Sequence, residues 1–388
     1  MSDARRRRSA KQDRRDAKRA RRRRPVADDA LLISTIREVM AGPKELLLGG
    51  VGHCISWATP GLHPKEEPEK TRSLEVFIGN LIARRYRETT ALLALFAELL
   101  IDDDVLRERC RREVSTRNDR LPRWIAGLPH AEVSRVMRRT DVLGDGDELV
   151  VSLMLADATE LTLSVLLDHN RLSSVIDFQL LTGPWESVVV PSPSDNAFVD
   201  MDPADARAWI ENGLRFERYA RRPKEWRDVA PIVRWMISRL PEGGVAYEKP
   251  HWDDDAVTQL LDEFFATPAG TPFADDDYRD VLRQLCESGF GDPLRWSTFR
   301  ISDILRLPYH DENVPLEIAL DAPALLRAFV PFAHSRSGIG QDLTGDALKT
   351  IDDMGRGYRR RLLDDAMVYY DEEDADPRPW RNYPDQAS

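Results

Sequence analysis

Asp168, His169, Asn170 and Asp177 are the residues of this chain whose types and spacing come closest to a chemical unit. A carboxylate that orients an imidazole is the elementary device of general acid–base catalysis and of many metal sites. Asp168-His169-Asn170 closes one β-rich stretch and Asp177 lies in the next, so a hairpin would carry the Asp177 carboxylate toward His169. In that arrangement His169 is the acid or base, Asp177 orients it and Asp168 is an additional ligand. A plain turn, with asparagine in a left-handed backbone, accounts for the same three residues without chemistry.

Other candidates are weaker. Three aspartate triplets, at 102–104, 253–255 and 275–277, each stand directly before an apolar helical pattern, where an aspartate caps free N–H groups and complements the helix dipole. His251 and His310 each sit near carboxylates but lack the i, i+4 histidine spacing of helical zinc sites. Gly49-Gly-Val-Gly52 is followed by no Lys-Ser or Lys-Thr and reads as a flexible joint. Hydrolase, metalloprotease and kinase signatures are absent from the sequence, and no motif calls for a cofactor or a metal. Cys54, Cys110 and Cys286 are far apart, which disfavours a disulfide framework and suits reduced structural thiols.

Charge is divided sharply. Residues 1–26 carry eleven Arg and two Lys against three Asp, about +10, within a chain of formal net charge −11. Arg5, Arg6, Arg7, Arg8, Arg14, Arg15, Lys18, Arg19, Arg21, Arg22, Arg23 and Arg24 form a basic arm that is expected to be disordered when unbound. Each such residue near a phosphate releases counterions, so the arm suits nucleic acid or an acidic protein surface. It holds no aromatic residue and offers no platform for stacking bases. A rival partner is the chain's own segment 364–376, with seven acids and no base.

The elements that must position these residues follow from periodicity. Leu31–Met40 reads as a short helix, 42–71 as a long irregular connection, and 72–101 as the firmest helical stretch. Further helical patterns begin at Val105 and Trp124, the latter running to Met137. From Glu148 to about 190 the period changes to two and short turns imply an antiparallel meander, with Ile176, Phe178 and Leu180 on one face and an edge strand at 187–190. Its apolar face requires the preceding helices as cover. The Pro-rich stretch 191–203 reads as a linker, and 204–371 as a mainly helical domain in which Cys286 falls on a buried face. Trp226 and Trp235, nine residues apart, fall on different helix faces; core packing is the default for both, and an exposed ring would be an anchor for a protein partner. The tail 372–388 should be frayed. The fold class is thus α+β: a basic arm, an α+β domain over 27–190, and a mainly helical domain.

The run Thr140-Asp-Val-Leu-Gly-Asp-Gly-Asp147, with Leu166-Leu-Asp-His-Asn170 and Val175-Ile-Asp-Phe178, resembles uncharacterised proteins of actinobacteria. So does the stretch from Leu294-Arg-Trp296 through Pro323-Ala-Leu-Leu-Arg-Ala-Phe-Val330 to His334. The resemblance covers less than half of the chain and implies one recurrent bacterial arrangement of meander and helical half, with no activity attached. No apolar stretch is long enough to cross a bilayer, and no apolar segment follows the basic N-terminus as in a signal peptide. The expectation is therefore a cytoplasmic, non-catalytic interaction protein. The alternative is an enzyme or ligand sensor at the sheet around Asp168, His169 and Asp177.

Overall fold

The computed structural model describes residues 30–57, 74–187, 196–216, 226–306 and 314–373. The basic arm, residues 188–190 of the expected edge strand, His310 and the tail beyond 373 lie outside them. Helix α1 (30–41) is followed by α2 (Lys44–Trp57), α3 (Leu74–Ala83), α4 (Arg87–Leu99), α5 (Asp104–Thr116) and the single turn α6 (Arg123–Gly127). Strands β1 (Glu132–Thr140), β2 (Gly146–Met154), β3 (Glu160–Asp168) and β4 (Ser174–Thr182) form an antiparallel meander, and β5 (Val199–Asp200) pairs with the outer side of β1. The sheet order is β4-β3-β2-β1-β5. Helices α7 (Pro203–Arg215), α8 (Trp226–Ile237), α9 (Asp254–Phe265), α10 (Asp276–Glu287), α11 (Thr298–Arg306), α12 (Leu316–Leu320), α13 (Ala322–Ser337) and α14 (Gln341–Glu373) complete the α+β fold. No helix among the described residues is long and apolar enough to cross a membrane.

The meander begins earlier than its hydrophobic pattern suggests. The helix expected over Trp124–Met137 ends at Gly127, and Glu132 onward is strand. A β-bulge between Val133 and Arg135 inserts one residue, so Val133 and Val136 both turn toward the core. Their spacing of three imitates a helical face. A second irregularity, where β3 passes from Leu166 to Leu167, sets Val175, Phe178 and Leu180 toward the same core, so Val175 takes the place expected for Ile176.

The long connection expected at 42–71 is helical over Lys44–Trp57. Gly52 does not loosen it. A Cβ at this position would lie 1.9 Å from the Asp228 carbonyl oxygen, so the glycine permits the close crossing of α2 and α8. The helical stretch at 72–101 is divided at 84–86, where Arg117 stitches the break: its guanidinium donates to the Ile82 carbonyl at 2.9 Å and to the Thr89 and Thr90 hydroxyls at 3.1 Å.

Two hydrophobic cores result. The first joins Ile36 through Leu240, and it includes Ile210, Trp226, Ile232, Trp235 and Met236 from α7 and α8 as well as the sheet face Leu161, Leu163, Val165 and Leu167. The second joins Leu260 through Leu362, with Cys286 buried in it as its helical spacing required. The division of apolar packing therefore falls between Leu240 and Leu260 rather than at 191–203. Proline content marked a change of element there, while α7 and α8 return to cover the sheet. That return also buries both Trp226 (5% exposed) and Trp235 (1%), so both rings take the default core position and neither is an exposed anchor.

Candidate functional site

The ends of β2 and β3 and the turn after them bring the candidate residues to one corner. Residues His169–Arg171 form a 3-10 turn, and the left-handed positions that close the hairpin are Leu172 (φ 57°) and Ser173 (φ 54°), not Asn170. His169 is 1% exposed. Its Nε2 donates to Asp147 Oδ2 at 2.7 Å, and its Nδ1 meets Ser173 Oγ at 2.9 Å. Because the carboxylate only accepts, the neutral ring carries its proton on Nε2 and accepts the Ser173 hydroxyl at Nδ1. Asp147 Oδ1 accepts the Thr140 hydroxyl at 2.5 Å.

Asp177 is not the partner of His169. Register pairs it with Leu166, on the exposed rim of β4, and its carboxylate accepts the neighbouring Phe178 N–H at 2.8 Å. The partner is Asp147, which the spacing of Asp168, His169 and Asp177 did not point to. The signal was present as Asp145-Gly-Asp147 at the start of β2, since antiparallel pairing places Gly146 opposite Asp168.

Serine, imidazole and carboxylate have the composition of a nucleophile relay, yet the geometry is closed. Ser173 and Asp147 are 6% and 2% exposed, and the Tyr247 ring lies on the imidazole with centroids 3.7 Å apart and planes at 7°. Trp209 meets both rings edge-on. Tyr247 belongs to the irregular strap between α8 and α9, which is pinned where Asp205 accepts the Val245 N–H at 2.7 Å and Trp209 donates to the Val245 carbonyl at 3.1 Å. The trio therefore joins the hairpin corner to the strap that connects the two cores.

The next two residues reach into the second half. Asn170 donates to Asp145 Oδ1 at 2.7 Å and accepts the Phe290 N–H at 3.1 Å. A Cβ on Gly289, whose φ is +62°, would lie 2.3 Å from Asn170 Oδ1, so this approach requires glycine. Arg171 lies over the Phe299 ring at 4.7 Å. In return Arg295 donates to the Val142 carbonyl at 2.9 Å.

Asp168 faces the other way, into a cleft of about 470 Å³ that also exposes Asp145, Glu148, Asp177 and Phe299. Asp168 and Asp177 thus share a cleft without His169. Burial raises the Asp168 carboxyl to about 6, against the opposing influence of the Arg171 guanidinium and the Asn170 N–H, and nearby Asp145 adds to the rise. Burial likewise raises Asp145, although Ser297 and Asn170 hydrogen-bond to it. The folded chain therefore holds a proton on Asp168 that the unfolded chain releases near pH 4, and the cost of ionising this carboxyl grows as pH rises to about 6. Asp168→Asn keeps an acceptor for the Asn170 N–H and removes the charge. Its stability relative to the parent should be unchanged near pH 4 and gain on the order of 2 kcal/mol above pH 6. Urea unfolding at both pH values checks this, and a loss of stability at pH 7.5 would contradict it.

Among the described residues no group of three histidine, cysteine, aspartate or glutamate side chains is arranged to hold a metal ion. The aspartate triplets act as caps: Asp103, Asp253 and Asp275 accept the backbone N–H of Leu106, Ala256 and Asp277. His251 is exposed. The polyanion-binding candidates from Arg5 to Arg24 fall outside the described residues. No family model, no curated protein and no solved structure matches the chain.

Proposed function

We propose that the protein is a non-catalytic interaction protein of the cytoplasm, whose Arg-rich segment 1–26 contacts nucleic acid or an acidic protein surface while the helical half recruits a partner. The observation that carries this reading is the charge partition, about +10 in 26 residues against a strongly acidic remainder. The closed His169 trio supports it, because the residue on which a catalytic reading rests is committed to holding the corner together.

The test is a titration of duplex DNA and RNA with the full chain and with a chain beginning at Asp28. Binding by the full chain alone, weakening at least tenfold between 50 and 200 mM salt, is the expected result for an arm making several phosphate contacts. Equal binding by both chains, or by neither, sinks the nucleic-acid reading. If the arm instead pairs with 364–376, neutralising those acids strengthens binding by the full chain.

A second reading has its own observation. Asp168, raised to about 6, and Asp177 line one cleft, which favours a ligand sensor there over an acid–base enzyme built on His169. Its test is whether Asp168→Asn and Asp177→Asn change ligand-induced protection of β3 and β4 in hydrogen exchange.

A further inference from the structure

A cavity of about 550 Å³ lies in the second half, between α10, α11, α13 and α14, and Asn170 of the hairpin corner lines it. That volume is within the range of small-molecule sites. We infer that it binds a small amphipathic amine: an ammonium group on a compact hydrocarbon or aromatic body.

The walls set the body of the ligand. Val281, Leu285, Ile304 and Val314 are apolar, and Ala319 and Ala322 are small enough to leave the space open. The Tyr358 ring is buried beside them, and its hydroxyl, donating to the Ala319 carbonyl at 3.0 Å, keeps acceptor capacity.

The charged groups set the head. Arg300 is the one lining cation among the described residues, and its guanidinium is already engaged by backbone carbonyls, including Cys286 at 2.8 Å, and by Ser288 Oγ at 3.3 Å. It is not available to an anionic ligand. At the rim stand two carboxylates, Glu287 and Asp303. Glu287 is exposed and has no ion pair among the described residues. Asp303 meets Arg306 at 2.5 Å and Arg171 only at 3.9 Å, which leaves its second oxygen able to accept. An ammonium drawn to these acids, with its apolar body between Ala319 and Ala322, satisfies both sets of groups; a carboxylate of the same shape meets like charge.

The probes are tryptamine, the neutral 3-ethylindole and indole-3-propionate, titrated calorimetrically into the full chain at pH 7.5. The expected result is saturable binding of tryptamine, weaker binding of 3-ethylindole and none of the acid. In the variant carrying Glu287→Gln and Asp303→Asn, tryptamine binds about tenfold more weakly, as loss of a charge-assisted contact predicts. Ala322→Leu fills the cavity and abolishes binding. Should Ala322→Leu fail to fold, the two rim substitutions still decide, since both replace solvent-accessible groups. No saturable binding of tryptamine, equal affinity for tryptamine and the acid, or an affinity untouched by the rim substitutions or by a folded Ala322→Leu would overturn the assignment. Deleting the basic arm leaves this binding unchanged, so its outcome is separable from the nucleic-acid test.

Discussion

Replacing His169 by alanine is expected to lower the unfolding free energy by about 3 kcal/mol, the cost of leaving a buried carboxylate without its hydrogen-bond donor. The Asp147 carboxylate, 2% exposed, then retains the Thr140 hydroxyl but loses its 2.7 Å donor. Tyr247 loses the ring it stacks on, and the strap loses its link to the corner. Urea unfolding measures the loss. A double-mutant cycle shows its origin: Asp147→Ala with His169→Ala should cost about 2 kcal/mol less than the two single losses combined, because the second substitution removes the charge left stranded by the first. A loss under about 1 kcal/mol for His169→Ala, or strict additivity, would mean that the trio does not hold the corner.

The second large effect belongs to Arg300, fully buried, whose guanidinium gathers the end of α10 and the loop after it. It donates to the carbonyls of Leu285, Cys286, Asp292 and Arg295 and to Ser288 Oγ, and it stacks over Trp296 at 4.1 Å. Burial lowers it to about 10, so it stays charged at neutral pH. Lysine preserves the charge but not the planar fork or its five donors. Arg300→Lys should therefore destabilise nearly as much as Arg300→Met, by about 4 kcal/mol or more, since buried carbonyls lose their partners in both. Hydrogen exchange should show the loss first across residues 285–300. If the lysine variant unfolds within 1 kcal/mol of the parent, charge rather than geometry organises this loop.

The sequence and the structure part company for identifiable reasons. Amphipathic helices in the second half were legible because single faces such as Leu260, Leu261 and Phe264, or Leu325, Leu326 and Phe329, meet one core with unbroken helical spacing. The aspartate triplets were legible because capping is local. Strand β1 was not, since its bulge gives Val133 and Val136 a helical interval. At the site, Asp168 and His169 were recognisable as neighbours at a strand end, but the choice of Asp147 over Asp177 depends on the register of β2 against β3, a contact between residues 22 apart in the chain. Gly52 misleads in the same way, because its reason lies on α8 rather than in its own neighbourhood.

The first core has a consequence during synthesis. Its four-stranded meander ends at Thr182, yet Trp226, Ile232, Trp235 and Met236, which pack in the same core, follow about half a hundred residues later. At roughly 5–20 residues per second, a ribosome leaves that part of the core unfilled for several seconds. During that interval the nascent meander exposes apolar surface that only a later segment of its own chain can cover, the kind of surface on which chaperones act. Slowing translation between Thr182 and Trp226 should therefore lower the yield of folded protein more than an equal delay after Leu240.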